Sequence, residues 1–192
     1  NNLIKIVIPG RIDTQVRYYG WIEKIPSSLK KRIEIVLLGL VNSESDFEII
    51  QKFEELGFPQ PIARSGKFIS NEIFEKEIES ANFLFFSTIQ LTNYHRQIDR
   101  NLGSLFDSIR YAKPLISPLH QPIPSEIQEN IITYKDDDDL VDILKSYVNE
   151  PKKVLIDSEK AFNNSKKFSI DKLTYFNEVL ALINKKKSEN FF

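Results

Sequence analysis

An α/β domain, three-layered and Rossmann-like, with a mostly parallel sheet flanked by helices, is the fold class that this sequence predicts. Three observations carry it. Apolar, β-branched or aromatic runs recur at residues 3–9 (LIKIVIP), 33–40 (IEIVLLGL) and 83–87 (FLFFS), and such runs suit strands buried on both faces. Stretches with apolar residues at helical spacing separate them, and this alternation calls for parallel strands with right-handed crossovers and helices on both faces. Loops that carry glycine and arginine, 10–17, 64–69 and 88–103, follow expected strands, at the carboxyl ends where such folds bind ligands.

Taken in order, the run 3–9 is interrupted only by Lys5 and closes at the turn Pro9-Gly10-Arg11. A helix is expected from about Gln15, with Tyr18, Trp21, Ile22 and Ile25 at helical spacing until Pro26 breaks it. After the second strand, residues 43–56 read as an amphipathic helix with Phe47, Ile50, Phe53 and Leu56 on one face and Gly57 ending it. A weak strand is expected at 61–63, then the loop 64–69. Ser70 is placed to cap a helix that packs through Ile73, Phe74, Ile78 and Ala81. The polar segment 88–102 leads from the most apolar strand into a short helix, and Lys113-Pro114 precedes a strand at 115–117. A last short strand covers 131–134, and a helix covers 136–149. Beyond Pro151 come two helices, 154–164 and 170–187, with no strand between them; the second has Leu173, Phe176, Leu180 and Ile183 on one face. Residues 1–150 thus read as one domain and 151–192 as a C-terminal helical extension.

The bulk numbers narrow the function classes. A formal net charge of -1 lacks the basic excess of a nucleic-acid binder. With no cysteine, neither a disulfide framework nor a thiolate metal site is available. No apolar run reaches the ~18 residues of a membrane span, and no signal peptide is visible. The chain has no methionine, as expected of a piece of a longer protein or of a chain trimmed at its N-terminus.

The stretch 99–118 (DRNLGSLFDSIRYAKPLISP) places a polar loop, a helix start and a buried strand in the order of an anion site. Gly103-Ser104-x-x-Asp107 has two readings. It is a capping box, with Ser104 and Asp107 exchanging bonds across the first turn, or its freed N–H groups face a diphosphate while Asp107 binds ligand hydroxyls. Arg11 and Arg17, just past the first strand, offer planar bidentate contacts to phosphate oxygens. His95, between Tyr94 and Arg96, is a candidate substrate contact; neither His95 nor His120 has a partner at metal-ligand spacing. The acidic run at Asp136–Asp139 suits the positive end of a helix. No nucleophile elbow and no GxGxxG motif is present.

Together PGRIDTQVR, the helix before FLFFS, and LGSLFDSIRYAKPLISP resemble the C-terminal, donor-binding half of a GT-B glycosyltransferase, with similarity to the family-four, group 1 retaining enzymes. Gly10-Arg11 matches the family's Gly-Arg, and Arg17 resembles its second basic residue. Asp107 resembles the second acid of the family's pair, followed by Ala112-Lys113-Pro114 and an apolar strand. Asp99 stands at the spacing of the first acid, where the family has glutamate. The last helix resembles the family's closing helix.

The resemblance implies a nucleotide-diphosphosugar donor lying along the strand ends. Arg11 and Arg17 would neutralise the diphosphate as catalytic groups, helped by Gly10 at the turn and by N–H groups of Gly103 and Ser104. Asp107 would take ribose hydroxyls, Asp99 the sugar, and Lys67-Phe68-Ile69 the base. Stabilising charge on a leaving diphosphate requires no metal or further cofactor. A glycan or lipid-linked acceptor would come through an N-terminal domain that this chain lacks, so the chain alone would bind donor weakly and turn nothing over. The resemblance places the whole protein in the cytoplasm or peripherally at a membrane, in surface polysaccharide or glycoconjugate synthesis. A non-catalytic flavodoxin-like or degenerate transferase module, acting through protein interaction, is the alternative.

Overall fold

The structure, a computed structural model, describes residues 3–41, 43–86, 88 and 103–168. Five parallel strands form one sheet in the order β2-β1-β3-β4-β5: β1 Ile4–Pro9, β2 Ile33–Leu38, β3 Phe83–Phe85, β4 Leu115–Pro118 and β5 Ile131–Tyr134. The helices are α1 Ser27–Lys30, α2 Glu44–Glu55, α3 Pro61–Arg64, α4 Asn71–Ser80, α5 over 103–110, α6 Asp137–Asn149 and α7 Pro151–Ser165.

The strand sequences are mostly apolar, broken only at Lys5, Glu34, Ser117 and Thr133, because both sheet faces are covered. Successive side chains point to opposite faces of a strand. Accordingly Ile4, Ile6, Ile8, Phe83, Phe85 and Ile116 join one core with Phe53 of α2 and Leu140 and Leu144 of α6. Val7, Leu84, Phe86 and Leu115 join the other with Ile78 of α4 and Leu105 of α5. Aromatic rings fill the first core: Trp21 lies 4.6 Å from Phe85, and Tyr147 lies 4.5 Å from Phe83. Caps begin the helices as their residues dictate. Ser43 and Asp46 form a full capping box on α2, the Ser70 hydroxyl accepts from the Ile73 N–H, and Asp136 accepts from Asp138 and Asp139. The acidic run thereby has a structural role, with Asp137 accepting from the Tyr18 hydroxyl and Asp138 from Lys24.

Three local expectations are corrected. No helix starts near Gln15; residues 14–16 form a turn, followed by a short 3-10 segment at Gly20–Lys24 and then α1. The Asp13 carboxylate accepts from the Gln15 N–H, and this local bond competes with helix at that point. Phe47 and Ile73, expected on buried helix faces, are exposed. The weak strand at 61–63 is instead the single turn α3, because the edge of the sheet has another partner. Gln60, 1% exposed, accepts the Leu37 N–H at 2.8 Å and donates to the Ile35 carbonyl at 2.6 Å. One side chain thus takes ladder bonds that a neighbouring strand would make on β2.

At the other end, α7 packs on the 3-10 segment Ser125–Asn130 through Asn164, which donates to the Asn130 side chain at 2.8 Å and to the Glu126 carbonyl at 3.2 Å. The expected helix over 170–187 lies outside the described residues.

Replacing Gln60 with leucine keeps the bulk but strands a buried N–H and a buried carbonyl on β2. We expect a loss of about 2–4 kcal/mol in urea unfolding; an unchanged midpoint would mean that water or a rearranged backbone replaces the amide.

Candidate functional site

Strand order reverses at β1, which has β2 on one side and β3 on the other, and crevices form at the carboxyl ends of strands at such a point. A cleft of about 450 Å³ opens there. Pro9, Gly10 and Arg11 line it from the end of β1, Phe86 and Thr88 from beyond β3, Phe74 from α4, and Gly103, Ser104 and Asp107 from α5. Asp13, Val16 and Arg17 complete it from the loop after β1.

Two glycines permit the backbone path. Pairing between β1 and β2 continues past the strands, with Gly10 N–H on the Leu38 carbonyl at 3.0 Å and Ile12 N–H on the Leu40 carbonyl at 3.1 Å. Between these bonds a side chain on Gly39 would lie 1.8 Å from the Gly10 carbonyl oxygen. Gly10 has φ +91°, a left-handed conformation that suits glycine, and a side chain there would meet Arg17 at 2.8 Å. The loop then turns on Asp13, whose carbonyl accepts the Arg17 N–H at 2.8 Å. Thr14 N–H donates to Asp46 at 3.3 Å, tying the loop to the start of α2.

The two arginines are held differently. Arg17 is half-buried and donates Nη2 to the Pro9 carbonyl at 2.8 Å, while its buried Nη1 has no hydrogen-bond partner among the described residues. Burial lowers its pKa, opposed by Tyr19 and Asp13, but a guanidinium so far above neutral pH stays charged. Arg11 has a side chain 58% exposed, with Nε 3.7 Å from the Asp13 carboxylate. Across the cleft, burial raises the Asp107 carboxyl above its ordinary value, with Arg110 working against the shift.

The structure therefore gathers Gly10, Arg11, Arg17, Gly103, Ser104 and Asp107 around one cleft. Phe68 and Ile69 line an adjoining cavity of about 410 Å³ that shares Gly10, Arg11 and Phe74 with the cleft; Lys67 lines neither, and Phe68 is 87% exposed. His95 and Asp99 lie outside the described residues. Ser104 is already helical, so it does not cap α5, and the capping-box reading is corrected. A cap must sit just outside the helix to reach the N–H two or three residues on. Asp13, Phe74, Thr88 and Gly39 were not singled out by sequence. Asp13 lies two residues after Arg11, a spacing that the loop turn converts into contact. Among the described residues no group of three or more His, Asp or Glu is placed to hold a metal, and no helix is long and apolar enough to cross a membrane.

No family model and no curated protein matches this sequence. Solved structures do match, over 94% of the chain. The N-terminal domain of trehalose-6-phosphate phosphatase from Candida albicans matches at TM-score 0.58 and 12% identity, covering 42% of that chain. HepE from Anabaena, solved with UDP and glucose, matches at 0.60 and 12% identity, covering 48% of that chain. A UDP-forming α,α-trehalose-phosphate synthase from Burkholderia vietnamiensis matches at 0.51 and 10% identity, covering 46% of that chain.

The chain has the fold of one half of a GT-B glycosyltransferase. It spans just under half the length of each of these relatives. At 10–12% identity the likeness concerns the fold, and the site of this chain stands on its own residues.

Two substitutions test the geometry of the site. Gly39→Ala drives a methyl group against backbone, and we expect it to cost at least about 2 kcal/mol in denaturant unfolding; wild-type stability would show that the two loops separate freely. Asp107 holds its proton to a higher pH folded than unfolded, so raising the pH through that window removes stability. Asp107→Asn should therefore raise the melting temperature at pH 7, with the gain vanishing as pH falls to about 4. A gain that persists in acid would place its cause elsewhere.

Proposed function

We propose that this chain is the donor-binding half of a glycosyltransferase that moves a sugar from a nucleotide-diphosphosugar to a glycan or lipid-linked acceptor. The observation that carries the reading is Arg17. A buried guanidinium nitrogen without a partner among the described residues, on a side chain that lines the cleft where strand order reverses, is a donor prepared for an anion. An unpaired charged donor is expensive to bury, and a phosphate oxygen relieves that cost.

In this reading the diphosphate lies against Arg17, with Arg11 moving to a second oxygen and Gly103 and Ser104 approaching from α5. Asp107 takes hydroxyls of the nucleoside, and the adjoining cavity beside Phe68 and Ile69 takes its base. His95 and Asp99 are proposed to reach the sugar side. As the bond from the anomeric carbon to the diphosphate breaks, its electron pair stays on the leaving oxygen, where fixed guanidinium charge stabilises it. The acceptor hydroxyl forms the new bond, and its proton goes to a base outside this chain. Metal ions and further cofactors have no part in the proposed chemistry. HepE was solved with UDP and glucose, and the trehalose-phosphate synthase is UDP-forming, which supports a nucleotide sugar as donor here. The whole protein would work in the cytoplasm, peripherally at a membrane if its acceptor is lipid-linked, in surface polysaccharide or glycoconjugate synthesis.

The strand order gives the runner-up its one support, since flavodoxin-like domains share it. A phospho-receiver on that fold needs acids at the end of its first strand, whereas this chain has Gly10-Arg11 there. A half that has lost transfer and binds a protein partner remains the competing reading, and transfer assays on the complete protein separate the two.

Calorimetry with UDP, GDP and ADP tests the proposal, with binding of at least one expected in the millimolar range or tighter. Arg17→Ala should weaken that binding by about 1.5–3 kcal/mol, the scale of charge-assisted contacts. Folded protein that binds none of the three, or an Arg17→Ala variant with unchanged affinity, would contradict it.

A further inference from the structure

Among the described residues that line it, the cleft carries two arginines and two aspartates and is nearly neutral. Arg11, Arg17 and Asp13 line it from the end of β1 and the loop after it, Asp107 lines it from α5, and a diphosphate entering must contend with both carboxylates. Asp13 is the more closely placed of these to the arginines. Its side chain is 19% exposed, its Oδ2 lies 3.7 Å from Arg11 Nε, and its charge acts on Arg17. It is also fixed in place. Oδ1 accepts the Gln15 N–H at 2.9 Å, and the Asp13 carbonyl accepts the N–H groups of Val16 at 3.3 Å and Arg17 at 2.8 Å. A carboxylate anchored in this way cannot swing far when an anion arrives.

We propose that Asp13 is the resident counter-ion of the arginine pair: it holds Arg11 at the rim of the cleft, and a diphosphate must outcompete it there, so Asp13 sets the affinity of the site. This rests on the reading of the cleft as a diphosphate site. Affinity held down by a fixed like charge lets product diphosphate leave as readily as donor enters. The same residue also shapes the loop, and the two roles separate chemically, because the Gln15 N–H needs only an oxygen acceptor while Arg11 responds to charge.

Asp13→Asn and Asp13→Ser each keep an acceptor for that N–H and remove the charge. Calorimetry of wild type and both variants, with inorganic pyrophosphate, UDP and uncharged uridine, reads the effect. Pyrophosphate and UDP should bind the variants roughly threefold to thirtyfold tighter at about 20 mM salt, the scale of one like-charge contact near a surface. The gain should shrink at about 0.5 M salt, and uridine affinity should not change. Binding by the variants where wild type shows none supports the proposal equally. Wild type that binds while both folded variants bind equally or more weakly overturns the role of Asp13 and leaves the diphosphate site standing. No binding by any of the three proteins overturns both.

Discussion

Arg17 turns back over the end of β1 and donates Nη2 to the Pro9 carbonyl at 2.8 Å, leaving its buried Nη1 without a partner among the described residues. Much of the local architecture exists to allow this. The guanidinium passes so close to Gly10 that a side chain would collide with it, and Gly10 in turn presses its carbonyl on Gly39. The loop between them closes on Asp13 and is tied to α2 through Asp46, itself part of that helix's capping box. A charge is thus held against a strand end by backbone bonds. Because the loop is fixed before any ligand arrives, little ordering entropy remains to be lost on binding.

The sheet makes that loop dependable. Covered on both faces, it places the ends of β1 and β3 side by side and fixes their register through paired cores. Its exposed edge at β2 is closed by Gln60 rather than by another strand, and that substitution of side chain for backbone gives the five-strand order. Consequently the order alone is shared with unrelated open sheets. At the end of β1 the chain has Gly10-Arg11, where a phospho-receiver needs acids.

Most of the strands and long helices were legible in the sequence because burial on both sides of a parallel sheet writes itself as unbroken apolar runs, as in FLFFS. The cap at Ser70 was legible for a similarly local reason, whereas Ser43 and Asp136, read as the first residues of their helices, are caps. The segment around Gln60 was not, since an amide that replaces a strand partner leaves no periodic signal. Nor was the turn at 14–16, where aromatic spacing imitated a helix while Asp13 organised the backbone. In the site, the residues named from sequence that fall among those described gather around the cleft or its neighbour, Lys67 excepted. The difference between Arg11 and Arg17 was hidden, because residue type is local whereas a lost hydrogen-bond partner is a property of the packed loop.

A crystal structure of the chain soaked with UDP addresses the central claim most directly. We predict a phosphate oxygen within hydrogen-bond distance of Arg17 Nη1, between the ends of β1 and β3. A nucleotide bound elsewhere, or bound in the cleft with Nη1 still unpartnered, would contradict the account.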